Sequence, residues 1–209
     1  MTLGFWQLGR WKGVPVALHW SALVPFAWCL LQRDNLLPVL SSVLALLVLM
    51  AVHELGHAAA ARSRGLDVIG IRLYLLHGVC EHEAPHREAD DVLIAWSGVL
   101  AQLCLFTVSL AVLGAATALL PASARVLQPV LLVFVHANIV IAAINLIPMA
   151  PLDGHRAWRV VPLLWRAVKP RLATRGRAAG RAIDIRRRRE AEKSSQATAN
   201  ELLDRLRKK

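Results

Sequence analysis

Long apolar runs separated by short polar clusters organise this chain of 209 residues. Four runs predict membrane-crossing helices: roughly Val14 to Leu31, Leu36 to Ala61, Val92 to about Leu120, and Val126 to Ile147. Each meets or approaches the roughly 20 apolar residues needed to cross a bilayer. Between the second and third runs, Leu66 to Cys80 is rich in β-formers such as Val68, Ile69, Ile71 and Tyr74, and Gly65, Gly70 and Gly78 punctuate it. That pattern predicts a short hairpin lying against the membrane. Pro148 and Pro151 close the fourth run, because proline lacks an N–H and disfavours helix before it. The expected fold class is an all-α polytopic membrane protein of about four transmembrane helices, with a small membrane-associated β-hairpin between helices two and three.

Composition supports the bilayer over a soluble core. Hydrophobic residues make up 56% of the chain and mean hydropathy is +0.46. They cluster in uncharged runs and do not disperse into periodic stripes. Basic residues then orient the chain. With a cytoplasmic N-terminus, 23 of the 25 Lys and Arg residues face inward, and only Arg33 and Arg125 face outward. Both termini are therefore expected in the cytoplasm of a bacterial-type inner or cell membrane. Arg10 and Lys12 precede an apolar stretch, as in a signal peptide. Pro15, His19 and Trp20 interrupt that stretch and no small-residue cleavage site follows, so an uncleaved first helix is expected.

Cys29, Cys80 and Cys104 are scattered, which argues against a disulfide framework. From Pro170 onward 13 Lys and Arg residues stand against 5 Asp and Glu, with Arg186 to Arg189 unbroken. The chain is thus read as a membrane domain over 1–169 and a basic cytoplasmic tail over 170–209. The tail's natural partner is the anionic surface of the lipid bilayer. No nucleic-acid partner is expected, since no aromatic residues interleave with the basic ones. The length leaves no room for a PDZ-like or nucleotide-binding module of usual size.

The candidate chemistry begins at His53-Glu54-Leu55-Gly56-His57, at the end of a stretch (Leu36 to Val52) that holds no charged residue. On a helix His53 and His57 are four apart and share a face. That spacing lets two imidazoles grip one Zn²⁺, with Glu54 placed to act on its water. Ionisable groups at membrane depth are costly and usually mark function. A catalytic zinc needs a third protein ligand and an open position. Asp153-Gly154 follows the two prolines at the end of the fourth run, on the same side of the membrane as His57. Taken alone, that Asp-Gly reads as a plain turn.

Together the two segments resemble the site-2 protease family, the intramembrane zinc metalloproteases of peptidase family M50. The resemblance rests on His53-Glu54-Leu55-Gly56-His57, similar to the family's HExxH, and on Asn145-Leu146-Ile147-Pro148-Met149-Ala150-Pro151-Leu152-Asp153-Gly154, similar to its N-x-x-P-x-x-x-L-D-G. Weaker similarity runs from Gly13 to about Arg156. The resemblance implies one Zn²⁺ per chain held by His53, His57 and Asp153, with Glu54 as catalytic acid–base. It further implies that Asn145, and Asn138 two turns earlier, line the site. It makes 1–169 an intramembrane metalloprotease domain whose substrate is a membrane protein with a transmembrane helix. One segment departs from the pattern. Where many members carry G-P-x-x-N in the third core helix, this chain has Ser97-Gly98-Val99-Leu100-Ala101-Gln102. Gln102 keeps an amide with a different reach.

Other polar residues carry weaker signals. His19 matches a histidine frequent in the family and is either a site-lining or a helix-packing residue. His136 is read as a packing or interface residue. Cys80, His82 and His86 have the spacing of a second metal site, although their acidic neighbours favour an exposed polar loop. The alternative to an active protease is a catalytically silent scaffold or receptor that keeps the fold. Its signature would be loss of Glu54 or of a ligand, and none is lost. A transporter would predict internal repeats, which the chain lacks.

Overall fold

The computed structural model describes residues 4–25, 27, 36–74, 77–119 and 121–207. The chain forms two compact units, Met1–Val160 and Val161–Lys209.

The first unit opens with a hairpin of β1 (Phe5–Trp11) and β2 (Val14–His19), followed by a 3₁₀ turn over Trp20–Leu23. Helix α1 covers Leu36–Ser63 and leads into β3 (Val68–Leu73) and β4 (Gly78–His82). Helix α2 runs over Glu88–Leu119, α3 over Pro121–Leu132, and a π-helical turn over Val133–Ala137 passes directly into α4 (Asn138–Asn145). A four-residue turn of helix, α5 (Gly154–Ala157), precedes α6 (Val160–Arg207). Most of α6 makes up the second unit, where Arg186 Nε donates to Glu190 one turn on, at 3.0 Å.

Among the described residues, three helical stretches are long and apolar enough to cross a membrane: α1, α2 and Leu127–Asn145. The start of the expected first crossing is corrected. Val14–His19 is a strand, not the start of a helix. Its cause is local: Lys12 and Gly13 both adopt positive φ, 48° and 89°. Those angles suit a two-residue turn whose twist matches paired strands. Val14, Val16 and Leu18 then face one side, as the period of a strand demands. Residues 26 and 28–31 of that run, together with Cys29, Arg33, Leu75 and Leu76, lie outside the described residues.

The fold is therefore not all-α, and the hairpin expected between α1 and α2 is half of a larger sheet. Its order is β1-β2-β3-β4, with β2 and β3 parallel and the outer pairs antiparallel. The connection between the parallel strands includes α1. Val14, Leu18, Ile71 and Leu73 from the sheet pack with Met50 and Ala58 of α1 into one buried cluster. This contact holds the sheet at the level of the polar end of α1, and β4 is left as an edge strand.

Small residues bring α1 and α2 together. A Cβ on Gly56 would come 2.5 Å from the Ser97 backbone oxygen. Ala61, Ala60 and Ile94 close the contact above it. Close approach through glycine and alanine is how helices associate where lipid removes the hydrophobic driving force. The approach brings α2 directly against the two histidines.

Candidate metal centre

His53 and His57 lie one turn apart on α1, with 6% and 5% of their surface exposed, and Glu54 between them with 5%. Asp153 reaches them from the loop after α4. That helix stops at Asn145, just ahead of the prolines. Two indoles fasten the loop. Trp158 Nε1 donates to the Leu146 carbonyl at 2.6 Å, and Trp96 Nε1 of α2 donates to the Ala157 carbonyl at 2.9 Å. Arg156 lies 3.5 Å from Asp153 Oδ1 and 3.3 Å from Asp91 Oδ1.

The three side chains meet at a point. His53 Nε2 is 2.9 Å and His57 Nε2 3.1 Å from Asp153 Oδ2, and the two Nε2 atoms are 3.0 Å apart. The far side of each ring fixes its tautomer. His57 Nδ1 is 2.7 Å from the Ile94 backbone carbonyl, which can only accept, so Nδ1 carries the hydrogen. His53 Nδ1 lies 3.1 Å from Gln102 Oε1 and donates in the same way. Both Nε2 atoms therefore present lone pairs to a carboxylate oxygen. Three acceptors converging without a proton among them call for a cation. Two imidazoles and a carboxylate are a zinc donor set, and ligands about 2.0–2.1 Å from a tetrahedral ion sit roughly 3.3 Å from one another. The residues present fit the ion. They are the one His, Cys, Asp and Glu group among the described residues whose ligand atoms converge in this way.

Asp153 lies outside the apolar spans. On β4, burial, followed by the Glu54 charge, pushes the Cys80 thiol up to about 12.

A groove of about 610 Å³ opens onto these groups. β4 forms one wall, with Gly78, Val79, Cys80 and His82. Ile141, Ile144 and Asn145 of α4 face it, and Pro151 to Asp153 close one end. The Cys80 backbone N–H points at the Glu54 carboxylate. Asn145 Nδ2 lies 3.5 Å from His53 Nε2.

Several expected positions differ. Asn138 is 2% exposed and donates to the Gln102 backbone oxygen at 2.8 Å, so it ties α4 to α2 and does not line the groove. His19 does not line it either. Its Nδ1 caps the 3₁₀ turn through Ser21, and its ring packs against Phe5 and Tyr74. Gln102 is wholly buried behind His53. His82 donates through Nδ1 to the Glu83 carbonyl and does not join Cys80 and His86 in a second metal group. His136 is exposed in the π-helical turn, 3.3 Å from the Leu132 carbonyl. Sequence reasoning missed Arg156, Trp96 and the Ile94 carbonyl. The Arg156 signal was available three residues past Asp153.

No family model matches the chain. Among curated proteins, "Putative zinc metalloprotease Rip3" of Mycobacterium tuberculosis, from two strains, is 33% identical over 180 residues, covering 76% of this chain and 43% of the relative. The chain thus spans less than half the length of the curated relatives it matches. Among solved structures, the Site-2 Protease from Methanocaldococcus jannaschii superposes with a TM-score of 0.59 at 22% identity, covering 78% of this chain and 72% of that one.

Proposed function

The chain belongs to the site-2 protease family, and on that premise we propose that it is an intramembrane zinc metalloendopeptidase, cutting peptide bonds within or near transmembrane segments of membrane-protein substrates. The observation that carries this reading is the convergence of His53, His57 and Asp153 beside buried Glu54, at the end of an apolar helix of membrane length. Those three residues would hold one zinc per chain. When bound, zinc supplies Lewis-acid polarisation of a carbonyl and lowers the pKa of water. Glu54 takes a proton from the attacking water and returns it to the leaving amine as the C–N bond breaks. Asn145 Nδ2, on the groove wall, is placed to donate to the substrate carbonyl.

Purified protein in detergent should hold near-stoichiometric zinc and cleave a single-pass membrane substrate, and His57→Ala should lose both. Equal zinc in the two proteins, or cleavage by the variant, contradicts the reading.

Substrate must enter unwound. An intact α-helix hides its carbonyls in its own i→i+4 hydrogen bonds. An extended segment fits along the β4 edge by strand addition. Leu73 belongs to inner strand β3, so proline there would break the sheet itself and is a poor probe of this edge. A photo-crosslinking residue at Val79, on the groove wall, should capture substrate. The same residue at Ile69, 64% exposed and away from the groove, should not. Equal capture at both removes the edge-strand role.

The basic-residue count supports cytoplasmic termini, with 1–169 as the catalytic domain and 170–209 as a basic tail. A reporter fused after Lys209 should read cytoplasmic, and a reading from the opposite side refutes this orientation.

A further inference from the structure

The two histidines of the centre are oriented by different means. His57 leans on the Ile94 backbone carbonyl, which no substitution removes. His53 leans on a side chain, Gln102 Oε1 at 3.1 Å. Gln102 has no exposed surface, and its Nε2 finds no hydrogen-bond partner among the described residues. A buried amide with one end unpaired is unfavourable. Leucine, of similar volume, would fill the space without that penalty. The contact that distinguishes glutamine here is the one from Oε1 to His53. Asn138, donating to the Gln102 backbone oxygen at 2.8 Å, holds this turn of α2 in place.

We propose that Gln102 is a positioning residue of the metal centre: by accepting from His53 Nδ1–H it fixes the tautomer and ring angle that turn the Nε2 lone pair toward the ion. Groups behind a ligating imidazole set its orientation and basicity. Gln102 therefore acts on metal affinity through His53 and does not touch substrate. The proposal rests on the zinc reading above.

The test measures zinc affinity of the full chain in detergent by competition with a chromophoric chelator, and the visible spectrum of the Co²⁺-loaded protein. Gln102→Leu removes the acceptor and should weaken zinc by about 10–100-fold, and shift the Co²⁺ bands. Gln102→Glu keeps an acceptor for Nδ1–H and deletes the unpaired N–H. It should bind zinc at least as tightly as the wild type. A space-filling role gives the reverse order, because leucine packs well there and a buried carboxylate does not. Leucine within about twofold of wild type, or glutamate as weak as leucine, overturns the proposal. Should the leucine protein not fold, Gln102→Met, a far weaker acceptor, takes its place under the same criteria. A wild type that takes up no zinc, like His57→Ala, brings down the zinc reading and this proposal with it. Normal wild-type zinc with an indifferent Gln102 brings down only the proposal.

Discussion

Glu54→Gln should slow cleavage of a helical membrane substrate by about 10²–10⁴-fold, the usual worth of a positioned acid–base group, while zinc content and thermal stability stay near wild type. Glutamine is nearly isosteric with glutamate but cannot take up a proton. Glu54 is separate from the three converging ligand atoms, so the metal site keeps its full donor set. The Cys80 N–H that now meets the Glu54 carboxylate can still donate to the amide oxygen, so β4 keeps its seat. Burial adds a second reason to expect little loss of stability. Removing the potential for charge from a group only 5% exposed relieves a desolvation cost. The measurement is single-turnover cleavage of one substrate by both proteins, alongside metal analysis of the same preparations. Loss of zinc in the variant would make Glu54 a ligand. Substantial residual proteolysis would mean that another group moves the proton.

What could be read from the sequence follows from where the information sits. His53, Glu54 and His57 are neighbours on one helix, so spacing alone states their geometry. Asp153 was visible through two prolines that end a helix, plus a resemblance that joined it to His57 across the chain. β1 and β2 were not visible. Val14 to Leu18 is apolar at every position, so the strand's period of two is masked and the run merges with the apolar residues after it. The Lys12-Gly13 turn was the available clue, and the charge pattern around it was read as a membrane flank. His19 was misplaced for the same reason. A polar residue in an apolar run looked membrane-embedded, whereas it ends a strand and caps a turn. The Ile94 carbonyl behind His57 has no sequence signature, since every residue has a carbonyl. Gln102 was noticed as a departure from a motif, but its partner depends on how α1 and α2 pack, which only the fold reveals.

Gly98→Ala should weaken metal binding by about 100-fold or more, although Gly98 supplies no donor atom. A Cβ there would stand 2.5 Å from His57 Nε2 and 2.6 Å from His53 Cε1, facing both imidazoles at once. Real Cβ atoms do not come so near, so either the rings or α2 must give. The rings are held from behind by Gln102 and the Ile94 carbonyl. Helix α2 is held by the Gly56–Ser97 approach one helical step away. Overpacking of this kind costs about 1–3 kcal/mol, which a membrane bundle can survive. A metal site is less tolerant, since its ligand distances hold to within about 0.2 Å. The expected result is a folded protein whose zinc affinity falls by about 100-fold or more and whose cleavage falls with it. Gly114→Ala is the control, since a Cβ there meets nothing within 4 Å on the same helix; it should leave zinc and cleavage unchanged. Zinc uptake by Gly98→Ala equal to that of Gly114→Ala would mean that the two helices part more easily than their contacts indicate. The bare α2 surface would then be incidental to the metal centre.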